Sequence, residues 1–175
     1  MNTKIVGVIG VISLALILTI SQQTARSAPA LSAQDYAEIH QLYNRYNFGI
    51  DTHADDGGMW ARTFTADGVF DAGLPSGPLK GFDALKAFAK GNDAGTALTP
   101  GHYATNILIE PTPEGAMGSA YFLSVGDSQE GDGLTVASRG VYYDQLVKTA
   151  EGWRFKQRTF TSGQFPDALL HALSQ

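Results

Sequence analysis

Gly101-His102-Tyr103-Ala104-Thr105-Asn106-Ile107-Leu108-Ile109-Glu110 divides the chain into two kinds of sequence. Before it, apolar residues recur at helical spacing; from it onward they fall in runs of strand length. Ile39, Leu42, Tyr43, Tyr46 and Ile50 form one stripe from about Ala33 to Ile50, and Ser32 with Asp35 stands where a capping box would start that helix. Asp55 and Asp56 open a shorter predicted helix through Met59, Trp60 and Phe64. A short strand follows at Gly68–Ala72, then a Gly- and Pro-rich loop at Gly73–Gly81. Phe82, Leu85, Phe88 and Ala89 mark a third helix, and Gly91–Gly101 reads as irregular.

The strands predicted beyond that point are His102–Glu110, Ala116–Val125, Leu134–Val147 and Trp153–Phe160. The last two are joined by the turn Thr149-Ala150-Glu151-Gly152, and a tail helix through Leu169, Leu170 and Leu173 closes the chain. Helices first and antiparallel strands afterwards describe an α+β domain: three N-terminal helices against a curved antiparallel sheet, with a pocket between the layers.

The first thirty residues read differently. Lys4 precedes the charge-free run Ile5–Ile20, which at 16 residues is short for a bilayer span, and Ala28-Pro29-Ala30 offers small residues for a signal peptidase. Residues 1–30 are therefore expected to be a cleaved signal peptide and 31–175 a single exported domain, periplasmic or secreted, with no stable membrane association after cleavage. With no cysteine in the chain, disulfides, thiolate metal sites and an N-terminal lipidated cysteine are all excluded. Losing Lys4 and Arg26 leaves ten basic residues against 17 acidic ones, a balance that argues against nucleic acid as a partner.

Two residues point to chemistry. Asp51 closes the first helix in Tyr46-Asn47-Phe48-Gly49-Ile50-Asp51, at the edge of its apolar stripe, and His102 opens the first long strand. A carboxylate that orients an imidazole is the smallest set of groups able to move a proton off carbon or oxygen near neutral pH. Strand alternation predicts His102, Ala104, Asn106 and Leu108 on one face, so that His102 and Asn106 share a wall. Tyr46 reads as core, or as a hydroxyl that reaches a pocket, and Trp60 and Phe64 read as core, or as an aromatic wall for a flat substrate. Arg139 and Tyr142, three apart on one strand, point to opposite faces; an inward Arg139 would stabilise an oxyanion and an outward one would be a surface charge. Arg154, Lys156 and Arg158 are expected together on the outer face of the last strand, away from Trp153, Phe155 and Gln157.

Two acidic loops, His53-Ala54-Asp55-Asp56 and Asp127–Asp132, lack the ligand order of a calcium loop and read as solvated turns. No phosphate-binding loop, nucleophile elbow or zinc spacing is present, and nothing in the sequence calls for a cofactor.

The order of several short pieces carries a family resemblance over roughly residues 33–161. A first helix ends in Gly49-Ile50-Asp51. Phe64-Thr65-Ala66-Asp67-Gly68-Val69-Phe70 and Leu79-Lys80-Gly81-Phe82-Asp83-Ala84-Leu85 follow. His102-Tyr103-Ala104-Thr105-Asn106 comes next, and Gly140-Val141-Tyr142-Tyr143-Asp144 then leads to Gly152-Trp153-Arg154-Phe155. In this the chain resembles the SnoaL-like branch of the NTF2-like superfamily, which implies a cone-shaped fold with an internal pocket and a dimer or trimer. Scytalone dehydratases and hexachlorocyclohexane dehydrochlorinases, both of that superfamily, share the Asp and His, and the resemblance implies Asp51 and His102 as a dyad. The chain departs from them in having Ile50 before the Asp, Tyr46 in place of a lysine, and Arg139 near the place of a second histidine.

The reading is a cofactor-independent lyase (dehydratase or dehydrohalogenase type) or isomerase for a small hydrophobic or polycyclic molecule. His102 would be its base, Asp51 the orienting acid, and Tyr46, Asn106, Arg139, Trp60 and Tyr142 the substrate-binding residues. The alternative is a non-catalytic small-ligand-binding protein of the same fold.

Overall fold

The computed structural model describes residues 29–91, 101–128 and 133–163, with the isolated positions 167 and 170. The expected signal segment lies outside these residues up to position 28, as do the stretch 92–100 and residues 129–132 of the second acidic loop. Of the tail only Asp167 and Leu170 are described, both helical.

Helix α1 (Ala33–Thr52) begins as its sequence predicts: Ser32 accepts from the Asp35 amide, and the Asp35 carboxylate accepts from the Ser32 amide at 2.9 Å. Asp35 does more than cap. Its Oδ1 also accepts from Lys148 Nζ (2.7 Å) and Trp153 Nε1 (3.0 Å), which pins the start of α1 to the sheet. Helix α2 (Gly58–Ala61) is only four residues long. It follows a tight turn in which His53, Asp55, Asp56 and Gly57 all have positive φ, so Asp55 and Asp56 precede the helix and do not start it. Both carboxylates are engaged there, Asp55 with Arg62 (2.7 Å) and Asp56 with Lys90 (3.3 Å). Phe64, expected at the end of that helix, opens strand β1 (Phe64–Asp71).

After β2 (Leu79–Lys80) and α3 (Phe82–Gly91) come β3 (Gly101–Thr112), β4 (Gly115–Asp127), β5 (Leu134–Thr149) and β6 (Gly152–Thr161). Together they make one six-stranded sheet in the order β2-β1-β6-β5-β4-β3. Its pairs are antiparallel except β1·β6, which is parallel and inserts the early strand beside the last one. The helices lie on one face of this curved α+β sheet, and an aromatic core fills the space between: Tyr43, Tyr46, Trp60, Phe64, Phe70, Tyr142 and Phe155 are all buried. Gly49 permits the close approach of α1 to α2, because a Cβ there would come within 2.9 Å of the Trp60 backbone.

Register shifts decide which residues enter this core, and they correct two expectations. In β3, Thr105 pairs with Tyr121 but Leu108 with Ser119, so Asn106 and Ile107 together face Ala120. Asn106 takes up the extra residue with φ 54°, a left-handed conformation that asparagine tolerates better than most residues. Beyond it the alternation is reversed: Ile107 and Ile109 turn inward, while Asn106 and Leu108 are exposed. His102 and Asn106 therefore do not share a wall.

In β6, Phe155 pairs with Leu146 but Gln157 with Gln145, leaving Lys156 as the extra residue. Trp153 and Phe155 face the core before that bulge, and Arg158 faces it afterwards. Arg158, expected on the surface, is fully buried.

The buried guanidinium is held through Nε and Nη2, while its Nη1 is buried without a hydrogen-bond partner among the described residues. Asp144 receives Nε at 2.8 Å and Nη2 at 2.7 Å, a two-point contact that suits a planar guanidinium, and Tyr43 donates its hydroxyl to the same carboxylate. Rings of Phe155, Tyr142, Tyr46 and Tyr43 surround the cation with centroids 3.9–4.7 Å from it. Gly118, paired with Asp144, leaves the room: a Cβ there would lie 2.3 Å from the Tyr43 hydroxyl oxygen. Burial opposes the Arg158 charge, yet Asp144 more than offsets it and holds the guanidinium protonated. Burial also pushes the Tyr43, Tyr46 and Tyr142 hydroxyls above their ordinary ionisation range.

Two stability measurements test these roles. Asp144→Ala strands a buried cation and is expected to lower the unfolding free energy by about 3–5 kcal/mol in urea titrations; an unchanged midpoint would mean that the pair is dispensable. Asp35 is held well below its ordinary value of 3.8, first by Lys148 and then by Ser32. Its contribution is therefore complete above that value and lost as pH falls toward the folded-state value. Comparing wild type with Asp35→Asn by thermal melts, the gap in Tm should be constant from pH 7 to 5 and narrow below about pH 4; a gap that widens on acidification would contradict this role.

Candidate functional site

Asp51 lies in the last turn of α1, where an acid faces the negative end of the helix dipole. Contacts from β3 compensate. Asp51 Oδ2 accepts from the His102 backbone N–H at 3.0 Å, and Oδ1 is hydrogen-bonded to the His102 ring at Nδ1. One residue thus anchors the carboxylate twice, through main chain and side chain. The imidazole is held on its face as well as its edge, stacked on Phe122 of β4 with ring centroids 5.5 Å apart and planes 28° apart. Side-chain exposures of 16% for His102 and 20% for Asp51 leave the pair shielded but within reach of solvent. With Nδ1 turned to the carboxylate, Nε2 is the nitrogen able to exchange a proton with a ligand.

The pair lines a cavity of about 360 Å³ between α1 and the edge strand β3. From the helix come Asn44, Asn47, Phe48 and Asp51, and from the strand Gly101–Thr105. Phe48 and Tyr103 are large apolar groups on this cavity with relative exposures of 64% and 53%. Asn47 Oδ1 is buried without a hydrogen-bond partner among the described residues.

The other residues expected to bind substrate lie elsewhere. Tyr46, Trp60 and Tyr142 are buried in the aromatic core and do not line this cavity, because Tyr46 packs against Trp60, Phe64, Tyr142 and Phe155 over β1, β5 and β6 and not over the edge strand β3. Tyr142 faces inward and Arg139 outward, as their three-residue spacing requires; Arg139 pairs with Leu123 on the outer face and is exposed, away from the dyad. Asn106 is turned outward by its bulge.

What the sequence reading passed over is the second stripe of α1. Asn44, Asn47, Phe48 and Asp51 stand at i, i+3, i+4 and i+7 beside the apolar stripe, a spacing that places them on one face with the acid. Phe122 was also passed over. Strand alternation alone puts it inward with Ala120 and Ser124, though not beneath a particular histidine.

The chain belongs to the SnoaL-like domain family, whose model matches residues 31–159. Solved structures share the fold. Aln2 from a Streptomyces species is 25% identical with a TM-score of 0.65, the match covering 83% of this chain and 99% of that one. An NTF2-like protein with a cystatin-like fold from Novosphingobium aromaticivorans is 20% identical over 81% of this chain and 90% of that one, with a TM-score of 0.66. A Catenulispora acidiphila protein solved in complex with S-DNPA is 24% identical over 81% and 99%, with a TM-score of 0.62. No curated protein matches the chain.

The geometry predicts a tautomer. In the neutral ring, donation from Nδ1 to Asp51 leaves Nε2 unprotonated, the reverse of the form free histidine favours. Nitrogen NMR of labelled protein should show the Nδ1–H tautomer at His102 in wild type and its loss in Asp51→Ala. The same tautomer in both proteins would mean that the carboxylate does not set the ring.

Proposed function

We propose that the chain is an acid–base enzyme of lyase or isomerase type, acting on a small, largely apolar molecule that carries an acidic C–H. The observation that carries this reading is the Asp51–His102 pair, anchored by main chain and by Phe122, in a cavity bounded by the exposed rings of Phe48 and Tyr103. His102 Nε2 takes the proton from a carbon next to a carbonyl. Asp51 keeps the ring oriented and faces the positive charge that develops on it. The electron pair left on carbon then expels a leaving group from the neighbouring carbon to give a double bond: halide, with the proton on His102 passing to solvent, or a hydroxyl that takes the proton from the His102 imidazolium and departs as water. In the isomerase variant the proton returns to a different carbon. The chemistry asks for one base and an apolar wall, and it is consistent with a His102–Asp51 pair whose side chains are about four-fifths shielded. The relative solved in complex with S-DNPA lends support to a small-molecule ligand by similarity of fold.

Export belongs to the same reading and rests on the charge-free Ile5–Ile20 and on Ala28-Pro29-Ala30. Self-association is supported by the exposed apolar side chains on the strands, Tyr121, Leu134 and Val136 among them.

A panel of β-hydroxy and β-halo carbonyl compounds, assayed by ultraviolet absorbance of the conjugated product, tests the assignment. His102→Ala should lower kcat/KM by about 10²–10⁴-fold with the fold unchanged by circular dichroism, and Asp51→Asn should lower kcat more than it raises KM. Full turnover in His102→Ala would overturn the enzyme reading. Saturable ligand binding indifferent to His102, with no product, would replace it with a binding protein.

A further inference from the structure

On the side of α1 turned toward β6, two adjoining recesses of about 310 and 240 Å³ run from the α2–β1 junction to the β5–β6 turn. They share Leu42, Arg45 and Arg154, and the larger is completed by Met59, Arg62 and Thr63. The dyad is on neither lining. Three arginines from separate parts of the chain therefore converge on one groove of a protein whose net charge is −5.

Their pairing is unequal. Arg62 is neutralised by Asp55 at 2.7 Å. Arg45 makes no ion pair or side-chain hydrogen bond among the described residues, and Arg154 has a backbone partner only, donating from Nη1 to the Trp153 carbonyl at 2.8 Å. Glu38 and Glu151 line the smaller recess together with Arg45 and Arg154, but Glu38 lies 3.9 Å from Lys148 and Glu151 accepts from Thr149. Neither Arg45 nor Arg154 makes an ion pair among the described residues, so both guanidinium charges remain open to an added anion. Like charges gathered at one recess repel, and a guanidinium is the side chain best matched to a carboxylate or phosphate.

The floor is prearranged. Thr63 is buried, donates its hydroxyl to the Trp60 carbonyl at 2.6 Å, and accepts the Phe155 amide on its own carbonyl at 2.9 Å, which locks the α2–β1 junction against β6. Leu42 and Met59 add an apolar flank.

We infer that this groove is a second binding site, separate from the dyad, for a small anion: a carboxylate or phosphate group seated between Arg45 and Arg154, with an attached apolar segment on Leu42 and Met59. A preformed floor and a fixed Arg154 reduce what must be ordered on binding, and the local cations attract an anion that the chain's overall charge would repel.

Isothermal titration calorimetry on the full chain at low salt, with inorganic phosphate and with hexanoate as separate probes, tests this. At least one probe should bind saturably with a Kd of about 1 mM or tighter. Arg45→Ala and Arg154→Ala should each weaken binding about tenfold, and His102→Ala should leave it unchanged. Arg45 is exposed, so its variant should keep the native circular dichroism and stand as the decisive one. Preference for phosphate would identify a phosphate ester, and preference for hexanoate a carboxylate with an apolar tail; either supports the site. Absence of saturable heat with both probes, or binding that survives both arginine variants, would overturn it. So would binding abolished by His102→Ala, which would place the anion at the dyad instead.

Discussion

A charge buried at the centre of the cone is the constraint to which the rest of the structure answers. Arg158 is wholly enclosed, and a guanidinium in that setting demands a counterion, a hydrogen-bond geometry and a compatible surface around it. Asp144 supplies the counterion from β5 and binds Nε and Nη2, four rings surround the cation, and Nη1 is left without a hydrogen-bond partner among the described residues. The residues involved come from three elements: Tyr43 and Tyr46 from α1, Tyr142 and Asp144 from β5, Phe155 and Arg158 from β6. The pair therefore ties the helical layer to the sheet through groups of fixed direction, where an all-apolar core would supply cohesion with less orientation.

Helix α1 transmits that constraint to the site. Its apolar stripe is seated on the aromatic core, and Asp35 fastens its first turn to Lys148 and Trp153. The helix is thus held at its start and along its length, and its last turn delivers Asp51 to the first residues of β3. Precision at a hydrogen-bonded acid–imidazole pair requires that the elements beneath it cannot shift. Here His102 is fixed by its own backbone contact to the acid and by Phe122 from the neighbouring strand. The same helix presents Arg45 on another side, so one element serves the core, the dyad cavity and the arginine groove.

The fold class was legible because it rests on periodicity. The capping box at Ser32, the stripe from Ile39 to Ile50 and the four long strands after His102 appear nearly where local spacing put them, and the α+β order of helices before strands followed. The dyad was legible as two residues in suggestive settings, which the fold brings into contact across 51 positions of chain. Less legible was everything that depends on parity along a strand. A bulge at Asn106 or Lys156 costs one residue of register and reverses every side chain beyond it. Local alternation therefore put Asn106 beside His102 and left Arg158 in solvent, and it was wrong on both counts. The parallel β1·β6 pair is invisible for a related reason: it joins segments some ninety positions apart that carry no mark of each other.

By itself, then, the sequence determined where helices and strands lie, that the chain carries no cysteine chemistry, and which acid and histidine were worth following. These depend on residue type and short-range spacing, which local backbone preferences and hydrophobic periodicity read directly. Only the tertiary structure decided that Asp51 and His102 touch, that Tyr46, Trp60 and Tyr142 belong to the core, and that Arg139 points away while Arg158 is buried. It alone decided that three arginines share a groove. Those outcomes turn on register shifts and on contacts between distant segments, where the free energy is that of burying or pairing a group once the whole cone has closed, and no stretch of chain holds that information alone.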